Sequence, residues 1–239
     1  MLSPEANRIN YSEAIIPPKG YELESAICTT YSLDFEALIA ITMALGFSID
    51  TPQQEKENKA LMYKALRDIS KKLVIFCEAG KIKMPNIPNS MFILLERMVV
   101  PVSLDLKDNY YPAFHPKTWL LKYKEKNSVE EGKRKYRFFV LSRNLTFDKS
   151  WDISLYLDGE DSDSLQGKTA PLIPFYEFLN NEAKKNKCKN QDIVSSILNK
   201  IGNINFVCDS SSFSDYEIVP LGVSEEYGMK VQNLFKLTG

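Results

Sequence analysis

Two runs rich in aromatic and branched apolar residues, FHPKTWLLKY at 114–123 and YRFFVLSRNL at 136–145, constrain this chain more than any other feature. Such side chains pack well on a pleated surface, so both runs read as β-strands. The insert between them is charged and belongs in solvent, as a hairpin excursion joining the two strands. In a strand, residues i and i+2 share a face, so His115 and Lys117 point the same way, as do Ser142 and Asn144. Pairing of the two strands then gathers an imidazole, an ammonium, a hydroxyl and an amide on one patch. That combination suits a phosphate.

His115 is the only histidine in the chain. A neutral imidazole can attack phosphorus or pass a proton near neutral pH, its unperturbed pKa being about 6.5. A lysine and neutral donors can offset charge that builds on the non-bridging oxygens. This chemistry needs no metal and no cofactor. Each residue also has a plain structural reading: a satisfied histidine on a half-buried strand, a lysine that discourages edge pairing, and turn chemistry for Ser142 and Asn144. The four together tip the balance to a site.

At these positions the sequence resembles the phospholipase D superfamily, whose signature is His-x-Lys followed by a strand ending in Ser-x-Asn. Leu145 and Thr146 continue the family's Asn-Leu-Thr run, and CTTYSLDFEALIAITMAL at 28–45 is similar to the opening strand and helix of one branch. The resemblance implies an α/β fold, a phospholipase D-like mixed sheet flanked by helices. It implies a metal-independent phosphodiesterase acting through a phosphohistidine on His115, with Lys117, Ser142 and Asn144 around the phosphate. In the family an acidic or amide residue about eleven positions after the asparagine holds the histidine ring. Here that position is Leu155, and Asp152 is the nearest candidate.

Family members build the active centre from two such motifs related by a twofold axis, one histidine attacking and the other protonating the leaving group. One histidine gives half a site. The expected partner is therefore a second copy of the chain in a homodimer, or a second phospholipase D-like half. The nuclease and tyrosyl-DNA phosphodiesterase branches point to nucleic acid as substrate, with DNA favoured over RNA and a defence or restriction system as one setting. The alternatives are a lipid phosphodiesterase or transphosphatidylase, and a catalytically incomplete binding module.

With a formal net charge of −1 there is no global basic field to attract nucleic acid, so any polyanion site must be local. The segment 122–135 carries six basic and three acidic residues. Lys122, Lys133 and Arg134 there, with Arg143 beside the motif, are candidates to track a phosphate backbone, and Trp119, with Tyr123 and Tyr136, to stack on bases. Solvation of a hairpin tip explains the same charges. The lysines at 184, 185, 187 and 189 read as a helix end favoured by the helix dipole.

Residues 1–20 read as an irregular arm ending in Pro17, Pro18 and Gly20, and 21–239 as one phospholipase D-like domain. Strand 21–30 leads to a helix capped by Ser32 or Asp34 and running to about Gly46. A second helix runs through Leu61 and Ile69 to Lys72, then a strand at 73–77, a helix at 90–97 and a strand at 99–104 despite Pro101. After the motif come a strand at 153–157 stopping at Asp158-Gly159, helices at 174–185 and 193–201, and strands at 205–208 and 216–219. Strands alternating with helices argue for an α/β layer fold. The four cysteines lack metal-ligand spacing and read as reduced thiols. There is no signal-like start, no apolar run long enough for a membrane span and no amphipathic membrane-binding helix, so the expectation is a cytoplasmic protein without stable membrane association.

Overall fold

The computed structural model describes residues 14–46, 58–84, 92–104, 112–126, 134–147, 152–208, 213 and 215–223. In chain order its elements are β1 (Tyr21–Thr30), β2 (Leu33–Asp34), α1 (Phe35–Gly46), α2 (Lys59–Ile69), β3 (Leu73–Glu78), β4 (Ile82–Lys83), α3 (Phe92–Glu96) and β5 (Val99–Val102). Then follow β6 (Thr118–Glu125), β7 (Arg134–Leu141), β8 (Ser154–Asp161), α4 (Leu172–Lys185), α5 (Gln191–Ile201) and β9 (Ile204–Val207). Seven of the strands among the described residues form one mixed sheet in the order β5-β3-β1-β6-β7-β8-β9. β1, β3 and β5 run parallel, and every pair from β1·β6 outward to β8·β9 is antiparallel. The fold is the expected α/β mixed sheet flanked by helices.

Period-2 alternation splits the core between the two faces of this sheet. In β3, Leu73, Ile75 and Cys77 join a core with α1, α2 and α3, while Val74 and Phe76 join a second core with α4 and α5. A strand apolar on both faces is what a sheet covered on both sides requires. Asp34 caps α1, its Oδ1 accepting from the Glu36 N–H at 2.9 Å. Asn58 caps α2 in the same way, accepting from Ala60 N at 3.0 Å. Pro101 is tolerated because β5 is an edge strand, where a missing donor costs no ladder bond on the solvent side.

Two expectations change. β8 does not stop at Asp158-Gly159 but runs through them, because Gly159 lets β9 approach closely: a Cβ there would lie 2.6 Å from Phe206 Cδ1. Residues 216–219 form no strand; Tyr216 instead donates its hydroxyl to the Phe206 carbonyl at 2.7 Å. The end of the irregular arm packs on the sheet: Ile15 is fully buried, its carbonyl accepts from Tyr123 Oη at 3.1 Å, and Arg137 Nη1 donates to the Ala14 carbonyl at 2.6 Å. Residues 1–13 lie outside the described residues.

Candidate active site

The parallel strands β1 and β3 end where β6 and β8 begin and β7 ends, so five strand ends meet at one edge of the sheet. In open α/β sheets ligands bind outside the carboxyl ends of the parallel strands. The β6–β7 ladder places both halves of the sequence motif here. Thr118 faces Val140, and Leu141 N donates to the Lys117 carbonyl at 2.9 Å, so the ladder extends one residue beyond β6 toward His115.

His115 is exposed, and its ring lies 4.8 Å from that of Tyr31 at the end of β1, tilted by 45°. Lys117 Nζ sits 3.0 Å from Nδ1 and 3.3 Å from Nε2 of the same imidazole, and donates to the His115 carbonyl at 3.2 Å. Burial pushes the Lys117 ammonium below its ordinary range. Just upstream, the Phe114 N–H donates to Glu78 Oε2 at 2.6 Å, anchoring the lead-in to the end of β3. Lys81 stands 5.5 Å from the centre of the Tyr31 ring.

On the β7–β8 side, Ser142 Oγ donates to Asp152 Oδ1 at 2.9 Å and accepts from Ile153 N at 3.0 Å. Arg143 Nη1 lies 3.5 Å from Asp152 Oδ2, and its Nη2 donates to the Thr146 carbonyl at 3.1 Å. Asp152 was expected to hold the His115 ring; its two carboxylate oxygens engage Ser142 and Arg143 instead. Thr30 Oγ1 accepts from Leu145 N at 3.0 Å, and Asp34 N donates to the Leu145 carbonyl at 2.9 Å, which pins the chain just past the motif. Asn144 Oδ1 is buried without a hydrogen-bond partner among the described residues. A buried, unpartnered acceptor costs free energy that a fold ordinarily avoids.

The remaining substrate-binding candidates among the described residues do not join this edge. Trp119 is 1% exposed, Tyr123 1% and Tyr136 2%, so none of the three offers a face to a base. Their side chains fill the two cores, which is where large aromatics on central strands gain most from burial. Lys122 and Arg134 both turn to Glu24, at 3.2 and 2.9 Å. A bulge in β1 explains this: the register passes from Leu23 to Ser25, leaving Glu24 out of the ladder to meet them. Arg134 opens β7 while Ser142 follows its end, so the two are roughly 26 Å apart at ~3.3 Å per residue. Lys133 lies outside the described residues.

Glu78, Tyr31, Thr30 and Lys81 are the residues at this edge that sequence reasoning missed. The available signal was their place at or just after the carboxyl ends of apolar strands, where a parallel sheet presents residues to ligands. Two neighbouring thiols also lie close by. Cys28 and Cys77 are free and buried; burial holds the Cys28 thiol well above its ordinary range, and burial with the Glu78 charge pushes Cys77 up to about 12. Such thiols are inert as nucleophiles. Among the described residues no three His, Cys, Asp or Glu side chains gather to hold a metal ion, and no helix is long and apolar enough to cross a membrane.

No protein-family model and no curated protein matches the chain. Among solved structures, yeast tyrosyl-DNA phosphodiesterase is similar to 82% of this chain at 12% identity, with a TM-score of 0.43. A mutant form of the same yeast enzyme matches 81% at 12% identity, with a TM-score of 0.42. This chain spans 38% of the first of those chains and 36% of the second.

Proposed function

We propose that the chain is a metal-independent phosphodiesterase of the phospholipase D type, cleaving nucleic acid, DNA before RNA, through a phosphohistidine on His115. One observation carries this reading: the β6–β7 register sets Lys117 beside Leu141, so the His-x-Lys and Ser-x-Asn halves of the motif emerge at the same sheet edge. His115 nitrogen bonds to phosphorus as the bond from phosphorus to the leaving oxygen breaks, and that oxygen departs with a proton from a second imidazole. Water then attacks phosphorus, gives its proton back to the second imidazole, and breaks the P–N bond.

Lys117 and Asn144 hold the non-bridging oxygens through both steps. Tyr31 and Lys117 fix the His115 ring, and Asp152 keeps Ser142 and Arg143 in place beside the phosphate. The second imidazole is His115 of another copy, which makes the working unit a dimer. The free thiols fit a reducing cytoplasm, and the substrate class fits a defence or restriction role.

The test is cleavage of labelled single-stranded and duplex DNA in excess chelator, with a base quench to retain the acid-labile phosphoramidate. Cleavage should persist in chelator, label His115 and disappear in His115→Ala. Excess His115→Ala mixed with wild type should poison activity by forming defective dimers. A strict metal requirement, hydrolysis that survives His115→Ala, or turnover of liposomes but not DNA would each overturn the reading.

A further inference from the structure

Lys81 reaches the site edge from a turn whose backbone is held at several points. Its N–H donates back to the Glu78 carbonyl at the end of β3, at 3.1 Å, and Gly80 inside the turn takes a φ of +77°, a conformation that L side chains rarely adopt. The Lys81 carbonyl accepts from Leu33 N at 3.0 Å, which ties the turn to the segment just past β1. The side chain, by contrast, is exposed, with its ammonium 5.5 Å from the centre of the Tyr31 ring. That same ring lies 4.8 Å from the ring of His115, so one aromatic group separates the ammonium from the imidazole. Charge pairing sets Lys81 apart from its neighbours. Lys117 Nζ lies against the His115 ring, Arg143 pairs with Asp152 at 3.5 Å and Lys83 with Asp34 at 3.8 Å. Glu78 turns its Oε2 to the Phe114 N–H. Among the described residues no carboxylate forms an ion pair with Lys81.

We propose that Lys81 binds the phosphate next to the one that His115 attacks, so that the site prefers a strand of linked nucleotides to a diester with a single charge. The inference rests on the reading of His115 as the group that meets a phosphodiester. Lys117 and Asn144 then serve the phosphate at the imidazole, and Lys81 is the cation left over for the next one. Successive phosphates of one strand are held apart by a sugar, as the Tyr31 ring holds the ammonium apart from the imidazole. A cation–π contact at an exposed site is weaker than a charge-assisted hydrogen bond, so the ammonium turns from the ring to an arriving phosphate. A local cation of this kind is what a chain of net charge −1 needs in order to hold a polyanion at all.

Fluorescence anisotropy of the full chain with two labelled tetrathymidylates tests this, read before cleavage accumulates. One probe has every linkage charged; the other keeps a single charged linkage and carries neutral methylphosphonates elsewhere. Lys81→Met should weaken binding of the first probe about tenfold and make its salt slope shallower by about 0.7. The second probe should bind that variant and wild type alike, and Lys81→Arg should restore most of the lost affinity. Lys200→Met should change neither affinity: this lysine is exposed and lies just before β9, where Ile204 faces Asp161 at the far end of β8. Equal losses on both probes, no loss on either, or a wild type that binds neither probe overturns the proposal; cleavage that still needs His115 then leaves the phosphodiesterase reading standing. A loss confined to the fully charged probe, in a protein that never cleaves DNA, supports the role of Lys81 and counts against that reading.

Discussion

Glu78 Oε2 accepts the Phe114 N–H at 2.6 Å, so the residue preceding the only histidine is tied to the carboxyl end of β3, 36 positions earlier in the chain. The bond spans two strands that are not neighbours in the sheet, since β1 lies between β3 and β6. It fixes where the His115 lead-in leaves the sheet, and with it the height of the imidazole above the strand ends.

Glu78→Ala should therefore lower both stability and turnover. A hydrogen bond to a charged acceptor is worth about 1.5–3 kcal/mol, which a urea titration will register. Glu78→Gln keeps an acceptor oxygen and should recover most of kcat. Equal loss in the two variants would mean that the charge, and not the bond to Phe114, is what the site requires.

Lys117 should show a conflict between function and stability. Burial lowers its pKa from the ordinary 10.5, so the unfolded chain holds that proton more tightly than the fold does. The charged ammonium then costs stability at any pH below its folded pKa, and the cost fades as pH rises toward 10.5. Lys117→Met should raise the urea midpoint at neutral pH, the gap closing in strong base, while phosphate affinity falls roughly ten- to hundredfold. Asn144→Ala should weaken phosphate binding by a similar factor and leave the protein folded. Unchanged phosphate affinity in both variants would count against the site.

Glu24 should carry part of the acid sensitivity of the fold. Burial pushes its carboxyl up, but Arg134 and Lys122 outweigh that and hold it below the ordinary 4.5. Its stabilisation is complete above 4.5 and is lost as pH falls through the lower folded value. The urea midpoints of wild type and Glu24→Gln should differ at neutral pH and converge in acid. Parallel curves across that range would show that the ion pairs contribute nothing net.

Gly159→Ala should destabilise by about 1–3 kcal/mol, the usual cost of overpacking. Its Cβ would stand 2.6 Å from Phe206 Cδ1 and 2.9 Å from Ile204 Cγ2, so β9 must retreat from β8. Adding Phe206→Leu should restore part of the loss, and a wild-type thermal midpoint in the single variant would refute the close approach.

Strands and helices were readable because their signals are local. The aromatic and branched apolar content of 118–125 and 134–141, the aspartate cap of α1, and the apolar 73–77 run each depend on residues within one or two turns or pleats. The sequence by itself also settled that one histidine and one lysine stand two apart ahead of a strand, and a serine and an asparagine two apart behind its partner. Tertiary structure decided what those residues meet. Trp119 and Lys122 look alike in sequence, as residues that could touch a polyanion, yet burial takes the first into the core and a bulge in β1 gives the second a carboxylate. Asp152 reaches Ser142 and Arg143 because the β7–β8 register sets it there, and register is fixed by which faces must be buried along the whole sheet. Glu78 and Tyr31 come to His115 only because β1 and β3 end at the same edge where β6 begins, a fact of strand order that no local pattern encodes.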